Sequence, residues 1–178
     1  SQKAWESAEK SNLPKFYLNL KSYQKSLLNN SNPFTPAVNL FFALDEALKM
    51  MREEGLDNIF LRHNKHKLAM SNAVKALNLK LFADEKCLSP SVTAIKTGEI
   101  DAEEFRKTIK NKFDILLAGG QDHLKGKIFR VGHLGYINDR DIITVISAIS
   151  KTLLDQKKIT AKQAGDALEV ASRYLEQN

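Results

Sequence analysis

The chain has 178 residues, a formal net charge of +6, 43% hydrophobic residues and 27% charged ones. That is one domain, or a domain plus an arm, able to bury a core. No apolar run approaches the roughly 20 residues a bilayer span needs, and the single cysteine, Cys87, excludes an intramolecular disulfide framework.

Lys3–Lys10 reads as helical until Ser11-Asn12-Leu13-Pro14 breaks it. Phe16–Leu28 follows as a second helix, with Tyr17, Leu20, Tyr23 and Leu27 at helical spacing. Asn29–Pro33 is a loop of turn formers. Thr35-Pro36 then predicts a helix start, threonine as N-cap and proline at the first helical position. Val38, Phe41, Phe42, Leu44, Leu48 and Met51 give that helix a broad apolar face, and Gly55 closes it. Asp57 is expected to cap the next helix, about Asn58–Leu77.

Leu79–Ala83 and Val92–Thr97 read as short strands. Asp101 with Glu104 is a capping box opening a helix, with Phe105 and Ile109 on its buried side. Phe113–Leu117 reads as a strand entering a glycine-rich run, and Lys127–Val131 as the strand leaving it. Asn138 caps a helix bearing Ile142, Val145, Ile146, Ile149 and Leu153. Thr160 with Gln163 is a capping box for the last helix. The short link between the strands flanking the glycines predicts an antiparallel pair. The fold class is therefore α+β: a small, mostly antiparallel sheet of three to four strands with helices packed on it.

Ala118–Gly135 holds five of the chain's eight glycines, which implies a tight backbone path. Within it, period two puts Ile128 and Arg130 on one strand face, Phe129 and Val131 on the other. One guanidinium thus leaves an otherwise apolar strand. Burying it alone is costly, so it requires a carboxylate of the protein or an arriving anion. Gly120 through Gly126-Lys127 misses the phosphate-loop spacing by one residue and leads into a strand; a hairpin connection is the simpler reading. Thr35, at a helix start, is a candidate phosphate contact.

His63-x-x-His66 lacks a third and fourth ligand at compatible spacing and reads as a solvated helix face, so no metal site is expected. His123 and His133 flank the glycines, with no acid, base and nucleophile set around them. The basic residues are spread out, and the densest group, Arg106 with Lys107, Lys110 and Lys112, shares its helix with Glu103 and Glu104. No nucleic-acid partner is expected. Ser1–Glu6 lacks the apolar stretch of a secretory leader. With one cysteine, the expected location is cytoplasmic.

Phe129-Arg130-Val131-Gly132-His133-Leu134-Gly135, preceded by Gly119-Gly120 and Gly126-Lys127, resembles the C-terminal signature of class V pyridoxal-phosphate aminotransferases. It looks most like the alanine–glyoxylate and serine–pyruvate group. Thr35-Pro36-Ala37-Val38, Leu44-Asp45-Glu46-Ala47-Leu48, Phe16-Tyr17-Leu18 and Gly55-Leu56 fit the same register. The resemblance implies a fold-type-I enzyme whose small C-terminal domain binds the substrate carboxylate through Arg130. It implies that Thr35 contacts the phosphate of pyridoxal phosphate, usually across a homodimer interface.

Residues 1–34 would then be an N-terminal arm and interdomain helix, and 35–178 the small domain. The large cofactor domain is missing from this sequence. Ser1-Gln2-Lys3 has the family's Ser-x-Lys pattern, but Trp5-Glu6-Ser7-Ala8 stands where its Pro-Pro-Gly loop should follow. The reading is a C-terminal fragment with no catalytic residue of its own, inactive alone and binding no cofactor by itself. Its partners would be its large domain, a second subunit, and a small amino acid or 2-oxo acid. The alternative is a non-catalytic binding or scaffold subunit. Some cyanobacterial relatives carry a soluble-hydrogenase or tritium-exchange label, although one cysteine cannot ligate an iron–sulfur or nickel–iron centre.

Overall fold

The computed structural model describes residues 1–176, and the chain forms two compact units that divide between Glu53 and Glu54. The first holds α1 (Gln2–Lys10), α2 (Leu20–Leu27) and most of α3 (Val38–Glu54). Its order comes from an aromatic cluster. The rings of Phe16, Tyr17 and Tyr23 sit around Phe34, with centroids 5.1, 5.0 and 6.2 Å away.

Two starts in this unit differ from expectation. α2 begins at Leu20, because Asn19 takes the cap by accepting from the Lys21 amide. α3 begins at Val38, because the Val38 N–H turns back to the Pro36 carbonyl at 2.9 Å. The first helical carbonyl is therefore Ala37's, which accepts from Leu40 and Phe41, and Thr35 is not the N-cap. The apolar residues of α3 are exposed, Phe41 at 63% and Phe42 at 71%.

Gly55, with φ +83°, ends α3 and sits at the start of α4 (Leu56–Ala76). Asp57 thus lies inside the first turn of α4 rather than capping it. The second unit continues with β1 (Lys80–Leu81), β2 (Val92–Lys96), α5 (Ala102–Phe113), β3 (Ala118–Gly119), β4 (Ile128–Gly132), α6 (Asp139–Asp155) and α7 (Ala161–Leu175). The stretch expected as a strand at 113–117 is not one: Phe113 ends α5, and 114–117 run without regular structure to β3. Phe113 continues the apolar stripe of Phe105 and Ile109, and Asp114 stops the helix in a left-handed conformation, φ 56°.

The four strands form one antiparallel sheet in the order β1-β2-β4-β3. One face buries Ile95, Phe129 and Val131 against α4, α5 and α6. Small residues where α4 meets α7, Ala73, Ala167 and Ala171, are fully buried and let the backbones approach closely. Caps set the helix starts. Asp101 accepts from the Glu103 and Glu104 amides, Asn138 forms a capping box with Asp141, and Thr160 forms one with Gln163. The α+β expectation holds: a four-stranded antiparallel sheet with its helices on one face.

Candidate functional site

Arg130 lies mid-strand in β4, on the face away from the helical core, as period two requires. Its cross-strand neighbours are Ala94 on β2 and Ala118 on β3. Both are small, so they leave space around the guanidinium. The Nε donates to the Gly119 carbonyl at 2.9 Å. Among the described residues, no carboxylate forms an ion pair with Arg130. The guanidinium is held by one edge, and the edge bearing its terminal nitrogens has no carboxylate of the described chain on it.

The glycine run builds this arrangement. Gly120 is needed for close approach rather than for an unusual dihedral, and Gly119 lies against the Arg106 and Glu103 side chains. A Cβ on Gly120 would lie 2.1 Å from the Leu124 carbonyl oxygen, and one on Gly119 would lie 2.5 Å from an Arg106 nitrogen. The connection folds back through a 3-10 turn at Asp122–Leu124 and returns at Gly126, φ +75°. It is a hairpin link, with Gly120 extending the pairing by donating to the Ile128 carbonyl.

After β4 the chain enters the loop His133–Asn138, and α4 fastens it. Arg62 donates from Nη1 to the carbonyls of Gly135 and Ile137, at 3.0 and 2.9 Å. Its Nε and Nη2 are bound by the Glu54 carboxylate at 2.5 and 2.9 Å, which holds that carboxyl below its usual range. The Gly135 amide donates to His63 Nε2, so His63 Nδ1 carries the proton and donates to the Ile59 carbonyl.

Asp139 accepts from Lys65 and contacts His66 Nε2 at 2.8 Å. Partial burial works against its ionisation, yet these two partners keep its carboxyl below the usual range. His66 is fully buried, so the expectation of a solvated face at His63-x-x-His66 is corrected. α6 and α7 both pack on α4, and Asp139 at the start of α6 meets the His66 ring. Among the described residues, no three His, Cys, Asp or Glu side chains converge as a metal site.

His133 is also fully buried. Its two nitrogens meet the Thr93 hydroxyl at 2.8 Å and the Pro90 carbonyl at 3.1 Å. The carbonyl can only accept, so Nδ1 carries the proton and Nε2 receives the Thr93 hydroxyl. Burial pushes its pKa down to about 4. It braces the strand end below Arg130 and is closed to solvent. His123 is exposed in the 3-10 turn, and Cys87 is exposed in another. The hold of Arg62 on Gly135 and Ile137 and the Lys65–Asp139 pair escaped sequence reasoning, because residues about 75 apart carry no local signal of contact.

Thr35 is exposed and lines a cavity of about 400 Å³ in the first unit, with Tyr17, Tyr23 and Phe34 among its neighbours. The cavity is mostly apolar, and the Thr35 hydroxyl is one of its few polar groups.

No family model matches the chain. It is 50% identical over 175 residues, 98% of this chain, to the soluble hydrogenase small subunit of a Synechococcus species. It is 37% identical over 178 residues to an uncharacterized aminotransferase of Methanocaldococcus jannaschii. The crystal structure of ureidoglycine–glyoxylate aminotransferase from Bacillus subtilis superposes with a TM-score of 0.88 at 30% identity, over 99% of this chain and 46% of that one. The chain spans 45% and 46% of the lengths of the first two relatives. The homologues of this chain are class V aminotransferases, and in sequence and fold it matches their C-terminal portion.

Proposed function

We propose that this chain is the substrate-carboxylate-binding portion of a pyridoxal-phosphate aminotransferase moving an amino group between a small amino acid and a 2-oxo acid of the glyoxylate or pyruvate type. The observation that carries it is Arg130, tethered at Nε to Gly119 and without a carboxylate partner among the described residues. A flat fork of donors matches a carboxylate in two parallel bonds. Fixing the α-carboxylate there orients the substrate's Cα–H bond for proton removal, an orientation effect of several kcal/mol at best. The cofactor, when bound, supplies the electron sink.

Thr35 fits a cofactor phosphate as one hydroxyl donor on an open cavity. The cavity's apolar lining offers no cation, so the other phosphate contacts belong to other parts of the protein. The region division is proposed as before: an arm and interdomain helix over 1–34, then the small domain. The large domain and a second subunit complete the enzyme.

A second reading, a non-catalytic subunit, draws on the soluble-hydrogenase subunits of Synechococcus and Anabaena cylindrica that this chain is similar to. The deciding experiment assays the intact protein that carries this segment, with pyridoxal phosphate. Amino transfer from alanine, serine or a similar donor to glyoxylate or pyruvate is expected. Absence of transfer to either acceptor overturns the reading.

A further inference from the structure

We propose that the outer face of the sheet carries a second anion subsite beside Arg130, formed by Lys96 and Lys80, which takes the distal carboxylate of a dicarboxylic substrate. This rests on the reading of Arg130 as the clamp for the α-carboxylate.

The sheet register places the three cations together. Lys80 on β1 lies directly opposite Lys96 on β2, and Lys96 lies opposite Ile128 on β4. Arg130 is two residues further along β4, so Lys96 and Arg130 are diagonal neighbours on one face. Sheet geometry sets such a pair about 7–8 Å apart. α4 and α5 pack on the opposite face, and Lys80 and Lys96 are both exposed.

Like charges directly opposite on neighbouring strands repel. Yet among the described residues neither lysine has an ion-pair partner. The lysine pair therefore costs the fold some stability that no carboxylate of the described chain offsets. Lys96 Nζ lies 5.7 Å from the centroid of the Phe82 ring, on the β1 side of the sheet. Phe82 is itself tied to β2 by its amide, which donates to the Ala94 carbonyl.

A bidentate fork and a nearby point charge on one face suit a molecule with two carboxylates separated by a short carbon chain. An aspartate- or glutamate-type substrate, or the matching 2-oxo diacid, has that form. A monocarboxylate would engage Arg130 alone. Binding realised away from the reacting carbon would favour the diacid over alanine-type substrates.

The test uses the nitrogen-15-labelled chain titrated at fixed ionic strength with succinate, propionate and inorganic phosphate, following the amides of Lys96, Ile128 and Arg130. Succinate is expected to bind about threefold tighter than propionate, the scale of one exposed charge pair. Lys96→Gln should erase that preference and leave propionate binding unchanged, and Lys80→Gln should reduce it. Equal binding of succinate and propionate overturns the proposal. So does a preference that survives the double substitution, or phosphate binding as tight as succinate, which would mark a general anion patch. Arg130→Gln separates the two readings: if propionate binding survives it, the Arg130 assignment fails, whatever the lysines do.

Discussion

The Nε of Arg130 donates to the Gly119 carbonyl on the adjacent strand, so a backbone group, not a carboxylate, sets the direction of the guanidinium. Lysine has no equivalent of Nε and cannot keep both that bond and a forked grip on a ligand. In the intact protein carrying this segment, Arg130→Lys should retain the absorbance of bound pyridoxal phosphate. The kcat/KM for the amino acid should fall roughly tenfold to a hundredfold. Unchanged steady-state kinetics would remove Arg130 from the substrate site.

Two glycines make opposite predictions. Gly120→Ala pushes a methyl group against the Leu124 carbonyl, which is backbone and cannot swing away. A loss of at least about 2 kcal/mol is expected. Gly165 is exposed within α7 with open space where a Cβ would stand. Gly165→Ala should stabilise by about 0.5–1 kcal/mol. Urea denaturation of both variants beside the parent chain checks the pair.

The buried His133 gives the chain an acid-sensitive stability. Its folded pKa of about 4 lies below its ordinary value of 6.5. Between those values the unfolded chain binds the proton and the folded chain does not, so stability falls as pH drops through that window. The contribution is about 3 kcal/mol by pH 4 and is absent above neutrality. Denaturation midpoints at pH 7.5, 5.5 and 4.5 should decline on this scale, and His133→Gln should flatten the decline. A wild-type midpoint that holds steady across that range would contradict the assignment.

Arg62 joins α4 to the loop after Arg130 through two hydrogen bonds, and two more bind it to the Glu54 carboxylate. Arg62→Ala strands Glu54 and frees the Gly135 and Ile137 carbonyls, at a cost of about 1–3 kcal/mol. Faster amide exchange should appear across 133–138. Lys49→Ala, which removes an exposed bridge to Asp45, should change stability by less than about 0.5 kcal/mol. Equal effects of the two substitutions would show that the clamp is no stronger than a surface pair.

Local chemistry was legible in the sequence. The Thr160–Gln163 box, the Asn138 cap and the Gly55 stop all appear where their residue types place them. The alternation around Arg130 gave its face correctly, because a strand has only two. Thr35-Pro36 misled, because a tight turn between Pro36 and Val38 displaced the helix start by two residues. Phe113 was read into a strand although it completes a helical stripe, since an apolar run fits both periods. The helix turn around His66 looks polar, and its burial follows from the packing of distant elements on α4. The clamp on the loop and the neighbouring lysines on the sheet depend on register between strands and helices that no single segment encodes.

Three of the chain's four imidazoles already have a ring nitrogen engaged by the protein's own backbone or side chains. Burial holds His133 neutral, and His66 is shut away beside Asp139. Neither ring can trade hydrogen ions with solvent near neutrality unless the fold opens around it.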